Sequence, residues 1–178
     1  MPGLQLEVVP AHQLSDPDRA EIIALCDRAY GPSMEPYLQS LPNPTHVIAT
    51  VDDVIVSHAM WVTRRLQPGA GSLLRTAYVE LVATDPRHQR KGYAAAVMRR
   101  LAKEITDFDI GALCPSDAGQ ALYPKLGWQY WRGPLFIRGS HELIPTPNER
   151  VMVLPLPKTP RLDIDAPLSA EWREGELW

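Results

Sequence analysis

Apolar residues recur between positions 93 and 105 at Tyr93, Ala94, Val97, Met98, Leu101, Ala102 and Ile105. These offsets lie on one helical face, so the spacing predicts an amphipathic helix. A second apolar stripe, Ile22, Ile23, Leu25, Cys26 and Ala29, follows Ser15-Asp16-Pro17. Ser15 or Asp16 can cap that helix, Pro17 suits its first turn, and Gly31-Pro32 ends it. Glu35 to Leu41 reads as a short helix. Leu4 to Val9 reads as a strand. Val47 to Val51 and Val54 to Val62 flank Asp52-Asp53, two β-branched runs around a tight turn that predict a hairpin. Thr76 to Thr84 extends this meander. Gly111 to Leu113 is a short strand, Ala118 to Leu126 a helix stopped by Gly127, and Trp128 to Arg138 with Arg150 to Leu156 a closing strand pair. The order β-α-α-β-β-β-α-β-α-β-β implies an α/β chain, a mixed, mostly antiparallel sheet flanked by helices.

Composition narrows the possibilities. The 178 residues are 45% hydrophobic and 22% charged, which fits one globular domain over 1–178. A net charge of −3 argues against a generally basic nucleic-acid binder. No apolar run approaches the roughly 18 residues of a membrane span, and Met1-Pro2-Gly3-Leu4-Gln5 lacks the features of a signal peptide. Cys26 and Cys114 make neither a disulfide framework nor a zinc pattern, so a cytoplasmic protein is expected. The histidines, at 12, 46, 58, 88 and 141, show no metal spacing. Of 18 prolines, seven follow residue 133, which makes the C-terminal quarter loop-rich.

The most informative stretch runs from Val79-Glu80-Leu81-Val82-Ala83-Thr84 through Gln89-Arg90-Lys91-Gly92-Tyr93-Ala94. A strand leads to a loop, and the loop opens the amphipathic helix. Small residues at 92 and 94 let main-chain N–H groups approach a bulky anion, and the helix start adds donors and partial positive charge. Arg87, His88, Arg90 and Lys91 add side-chain charge. This is a candidate pyrophosphate cradle. An ordinary basic turn before a helix would carry the same residue types. Neither a Gly-Lys-Ser/Thr phosphate loop nor a full Gly-x-Gly-x-x-Gly is present.

Gln89-x-x-Gly92-x-Ala94 after a Val-x-x-Val-Ala strand resembles the acetyl-CoA signature of the GNAT acetyltransferases. Ala118-x-x-Ala121-Leu122-Tyr123-x-x-Leu126-Gly127-Trp128 resembles their tyrosine helix and the strand after it. More narrowly, Tyr78-Val79-Glu80, Gly111-Ala112-Leu113, Trp131-x-Gly133-Pro134, Thr146-Pro147, Val153-Leu154-Pro155 and Trp172-Arg173-Glu174-Gly175-Glu176-Leu177-Trp178 resemble the aminoglycoside 2′-N-acetyltransferases. The resemblance implies the GNAT fold, acetyl-CoA as co-substrate with no metal, a homodimer, and direct transfer of acetyl to an aminoglycoside amine, with no nucleic-acid or membrane partner.

It also implies roles. Glu80 would hold the amine and relay its proton through water; as an ordinary feature it is a solvated carboxylate on a strand. Tyr123 would protonate the departing thiolate; otherwise it is a core tyrosine. Residues 160–178 would fold back, so that the carboxylate of Trp178 binds the amine and shares the base role. Trp172 and Trp178, costly to leave in water, argue for that docking. The main chain of Leu81, Val82 and Thr84 would meet the pantetheine arm, with the Val82 amide as oxyanion donor. Gln89, Arg90, Lys91, Gly92, Tyr93 and Ala94 would hold the pyrophosphate.

On the substrate side stand Glu35, Glu80, Ser116, Glu149, Glu176 and Trp178, with Ser116 equally suited to capping a helix alongside Asp117. Carboxylates suit a polycationic sugar. Departures from broad-range family members, in Gly31-Pro32-Ser33-Met34-Glu35-Pro36, in Thr146-Pro147-Asn148-Glu149-Arg150 and at Glu176, point to a smaller or less charged aminoglycoside such as kasugamycin. Alternatives are a GNAT enzyme for another amino sugar, polyamine or protein amine, and a non-catalytic acyl-CoA-binding module.

Overall fold

The computed structural model describes residues 3–140 and 142–178. Met1, Pro2 and His141, which entered the signal-peptide and metal-spacing expectations, lie outside them. In chain order the elements are β1 (Leu4–Pro10), α1 (Asp16–Tyr30), α2 (Glu35–Ser40), β2 (Thr45–Val51), β3 (Val54–Pro68), β4 (Leu74–Thr84), α3 (Tyr93–Glu104), β5 (Ile110–Leu113), β6 (Gln129–Tyr130), β7 (Leu135–Arg138), β8 (Leu143–Pro145), β9 (Met152–Pro155) and β10 (Leu168–Glu171). They form two compact units. The first takes the residues up to Val62 with Val79–Glu104; the second takes Thr63–Tyr78 with Ile105–Trp178. No helix among the described residues is long and apolar enough to cross a membrane.

In the first unit, Ser15 is the cap of α1: its hydroxyl accepts from Asp18 N–H, and Gly31, at φ 94°, closes the helix by donating to the Asp27 carbonyl. The hairpin turns on Asp52 and Asp53, both with positive φ (50° and 62°). That is the backbone a two-residue turn between twisted strands requires, and aspartate tolerates it. β1 and β2 pair antiparallel, as do β2 and β3, with a bulge between Ala49 and Thr50. α3 lies against β2, burying Val97, Met98 and Leu101 from the predicted stripe.

In the second unit, β4 pairs parallel with β5 through Thr76–Tyr78, and β9 lies antiparallel between β5 and β6. β10 sits between β3, antiparallel through Leu66–Pro68, and β7, parallel; β8 closes this side on β7. The sheet pairings are therefore mixed, as expected.

Three expectations change. Residues 118–126 form turns and a 3-10 turn over Tyr123–Leu126, not an α-helix. Pro124 has no N–H to donate to residue 120, and its ring crowds that carbonyl. Trp128 to Arg138 is two strands, because Gly133 and Pro134 interrupt it: a Cβ on Gly133 would lie 1.9 Å from the Ala166 carbonyl oxygen. The tail supplies a strand, β10, where only loop was expected. It docks through Trp178, which is 4% exposed, whereas Trp172 remains 59% exposed.

Candidate active site

The first unit holds the predicted cofactor-side residues on β4 and the loop after it. Glu80 is 8% exposed, and its Oε2 accepts a 2.8 Å hydrogen bond from the Tyr37 hydroxyl on α2. Directly after it, Leu81 has φ 47°. A left-handed leucine inside a strand costs about 1–2 kcal/mol and persists only where neighbours hold it. Here they do. The Leu81 carbonyl accepts from His58 Nδ1 at 3.1 Å, the Val82 carbonyl from the Tyr30 hydroxyl at 2.8 Å, and the Ala83 carbonyl from the Ser57 hydroxyl at 2.8 Å. Thr84 Oγ1 lies 2.8 Å from Ser57 Oγ.

After β4, Asp85 N–H bonds the Val56 carbonyl, and the buried Asp85 carboxylate accepts from Arg87 twice through its side chain and from Arg28 at 3.0 Å. These guanidinium groups, Arg87 foremost, hold the Asp85 carboxyl well below the usual carboxylate range. The charge of Arg87 is thus largely committed to building the loop. Beyond it, Gln89, Arg90, Lys91 and Gly92 are exposed. Arg90 (φ 61°) and Gly92 (φ 85°) turn the main chain through two left-handed positions into α3, whose first-turn N–H groups have no acceptor within the helix. Left-handed turns of this kind and a helix start are the chemistry of an anion cradle, so this stretch fits the diphosphate of coenzyme A. Tyr93 and Ala94 begin the helix, half-buried. Glu35 is exposed on α2, where Gln39 bonds it; Tyr37, two residues on, is the one that reaches Glu80.

The second unit holds the remaining predicted residues. Tyr123 is 4% exposed and packs edge-on to Trp128 at 6.2 Å. A Cβ on Gly119 would approach its ring to 2.8 Å, so the turn before it must pass close over the phenol. Burial, then Cys114, pushes the Tyr123 pKa up to about 12. Ser116 serves its own turn, with no helix after it to cap: its hydroxyl and carbonyl accept from Gly119 N–H, and Asp117 accepts from the Gln120 side chain. A groove of about 360 Å³ is lined by residues that include Trp131, Arg132, Thr146, Glu149 and Arg150. Thr146 also accepts a 2.8 Å hydrogen bond from the indole of Trp178. Arg64, 2% exposed, donates to the Leu177 and Glu171 carbonyls at 2.8 Å and lies over the Tyr78 ring at 4.8 Å, while Arg173 donates to main-chain oxygens of Glu176 and Trp178. Glu176 is exposed. No group of three potential metal-ligating side chains occurs among the described residues.

Sequence reasoning missed Tyr37, His46, His58, Arg64 and Arg173. The histidines carried one signal, polar residues inside β-branched runs. Arg64 and Tyr37 carried none, because their partners lie 107 and 43 positions away along the chain.

The family described as the acetyltransferase (GNAT) domain matches residues 11–131. An aminoglycoside 2′-N-acetyltransferase of Mycolicibacterium fortuitum is 33% identical over 138 residues, 75% of this chain and 70% of that protein. Among solved structures, Eis1 from Mycobacterium abscessus superposes with a TM-score of 0.60 at 19% identity, over 74% of this chain but only 32% of its own length. Escherichia coli ElaA superposes with a TM-score of 0.62 at 12% identity, over 85% of this chain and 99% of its own. These likenesses establish the fold. The family match and the 33% identical relative make this chain an acetyl-CoA-dependent N-acetyltransferase of the GNAT family.

Proposed function

We propose that the protein transfers acetyl from acetyl-CoA directly to the 2′-amine of an aminoglycoside, with kasugamycin favoured over the broad-spectrum antibiotics. The observation that carries this is Glu80, a nearly buried carboxylate in mid-strand, held by Tyr37 immediately before the strained Leu81. The Tyr37 hydroxyl fixes this carboxyl group in place, and a carboxylate both binds an ammonium and takes its proton, directly or through water.

The other residues follow. Gln89, Arg90, Lys91, Gly92, Tyr93 and Ala94 hold the diphosphate, and the main chain of Leu81, Val82 and Thr84 lines the acyl arm. Acetyl-CoA supplies the thioester. The Val82 N–H donates to its carbonyl oxygen as negative charge develops there. Tyr123, a phenol that carries its proton at neutral pH and whose pKa burial pushes up to about 12, offers that proton to the departing thiolate. Glu35, Ser116, Glu149, Glu176 and Trp178 belong to the aminoglycoside side. That assignment of substrate rests on the Mycolicibacterium fortuitum relative. The preference for a less charged sugar draws support from the groove, where Glu149 is the one carboxylate among its lining residues and Arg132 and Arg150 are paired with Asp165 and Asp117, a sparsely anionic wall for a polycation. A homodimer in the cytoplasm is part of the same proposal, and light scattering of the purified protein tests the dimer.

The test is thiol release from acetyl-CoA with kasugamycin, gentamicin, tobramycin and simple polyamines. Release with aminoglycosides alone, fastest with kasugamycin, is expected. Equal rates with all three antibiotics overturn the kasugamycin preference, and release only with polyamines overturns the aminoglycoside assignment. Tyr123→Phe should slow transfer by about 100-fold with unchanged acetyl-CoA affinity. An unchanged rate removes Tyr123 from the chemistry.

A further inference from the structure

His46 on β2 and His58 on β3 are both fully buried in the first unit, and the proposed chemistry makes no use of either. His46 Nδ1 lies 2.9 Å from His58 Nε2, and His58 Nδ1 lies 3.1 Å from the Leu81 carbonyl oxygen. Hydrogen-bond logic fixes the protons. A carbonyl only accepts, so His58 Nδ1 carries hydrogen. In a neutral ring Nε2 is then the acceptor, so His46 Nδ1 must donate to it. His46 Nε2 is left as a bare lone pair, buried and without a hydrogen-bond partner among the described residues. The chain of donors runs one way: His46 to His58 to Leu81. Both rings are kept neutral by burial, with pKa values pushed down to about 4 for His46 and about 3 for His58.

The receiving carbonyl is what matters. Leu81 is the left-handed residue of β4. The peptide joining it to Val82 is trans, as are all those described, and in a trans peptide the C=O and the next N–H point in opposite directions. Whatever fixes the Leu81 oxygen therefore fixes the Val82 N–H. We infer that His46 and His58 are a positioning pair, whose hydrogen bond to the Leu81 carbonyl aims the Val82 N–H as the donor to the thioester oxygen. This rests on the proposed acetyl transfer and adds two residues to it. Neither touches substrate; both act through one peptide plane. Tyr30 and Ser57 hold the next two carbonyls, so the pair is the part of this set that governs Val82.

Substitutions at His58 separate the donor from the ring. The side-chain nitrogen of asparagine falls where Nδ1 does, so His58→Asn keeps the bond to Leu81. His58→Leu removes it, and His58→Gln places its nitrogen at the Nε2 position, facing His46 instead. The expected result is a fall in kcat of about tenfold or more for His58→Leu, part of what losing an oxyanion donor outright costs. KM for acetyl-CoA should change little, and His58→Asn should recover most of the rate. In protein labelled with ¹⁵N-valine, the Val82 amide resonance, identified by its loss in Val82→Leu, should move in His58→Leu and return in His58→Asn. If His58→Leu does not fold, His58→Gln carries the same comparison. Equal behaviour of the donor-keeping and donor-lacking variants, or an unmoved Val82 resonance, overturns the inference. A wild-type protein that acetylates no amine overturns the proposed function instead, and the resonance comparison still decides whether the pair aims Val82.

Discussion

The β4 segment of the first unit and the tail of the second solve one problem with opposite chemistry. Both leave main-chain carbonyls to be satisfied by side chains. At Leu81, Val82 and Ala83 the donors are neutral: an imidazole, a phenol and a hydroxyl. At Glu171 and Leu177 the donor is the guanidinium of Arg64, with Glu171 Oε1 3.4 Å from its Nε and the Tyr78 ring beneath it. β4 is buried along most of its length, where a charge would be costly. Neutral donors avoid that cost but give up strength and become sensitive to protons. A guanidinium keeps its charge at any accessible pH and makes stronger bonds, but it needs an anion and a ring to be tolerated inside.

The largest effect should therefore come from the tail. Arg64→Leu strands two carbonyls, a loss of about 1–3 kcal/mol for each, while the part-exposed Glu171 carboxylate keeps the Arg65 N–H and Arg138 and adds little. Urea denaturation measures it, and limited proteolysis should cut the variant near the exposed Trp172. Arg64→Lys should rescue little, because one ammonium cannot span the two carbonyls a forked guanidinium reaches. Full rescue by lysine would mean that charge alone, without the fork, holds the tail.

Next in size is the acid response of the first unit. His46 and His58 have folded pKa values below the usual 6.5, near 4 and 3, because burial disfavours their charged forms. His58 also faces His46; Arg19 adds its charge against His46, and the Leu81 hydrogen bond partly opposes the shift at His58. The unfolded chain therefore binds more protons between those values and 6.5, and stability falls as pH drops through that window. The loss for one such histidine is on the order of 3 kcal/mol when complete. Midpoints of urea unfolding from pH 7 to 4.5 should decline in the wild type and decline less in a His46→Leu/His58→Asn double variant. Parallel declines would assign the acid sensitivity elsewhere.

The same contrast explains what the sequence could reveal. Local patterns were legible: the Ser15 cap, the Asp52-Asp53 turn, the stripe of α3. The predicted cofactor-side residues fall on one continuous stretch, so a linear motif could find them. The histidine pair is not linear. In an unbroken hairpin across Asp52-Asp53, His46 would oppose Ala59 and His58 would oppose Val47, putting the two rings on opposite faces. The bulge after Ala49 shifts the register by one, so that His46 opposes Met60 and His58 opposes Ile48, and both rings share a face. The unpaired residue is Val56 on β3, and no glycine or proline beside it announces the bulge. The tail was harder still, since β10 has only four residues and its place beside β3 depends on Gly133 admitting the Ala166 carbonyl.

The smallest effect tests whether the tail is held by its charges or by its last aromatic. The Trp178 indole donates to Thr146 Oγ1 at 2.8 Å while the ring is buried. Thr146→Val keeps the shape of the threonine and removes the acceptor, leaving a buried N–H unpaired, a cost of about 1 kcal/mol. Thr146→Ser keeps an acceptor and should lose less. If Arg64 is the main clamp, Thr146→Val lowers the unfolding midpoint slightly and leaves the tail as protease-resistant as in the wild type. A Thr146→Val tail that is cut as readily as that of Arg64→Leu would reverse the order, making the indole the clamp and the guanidinium its support.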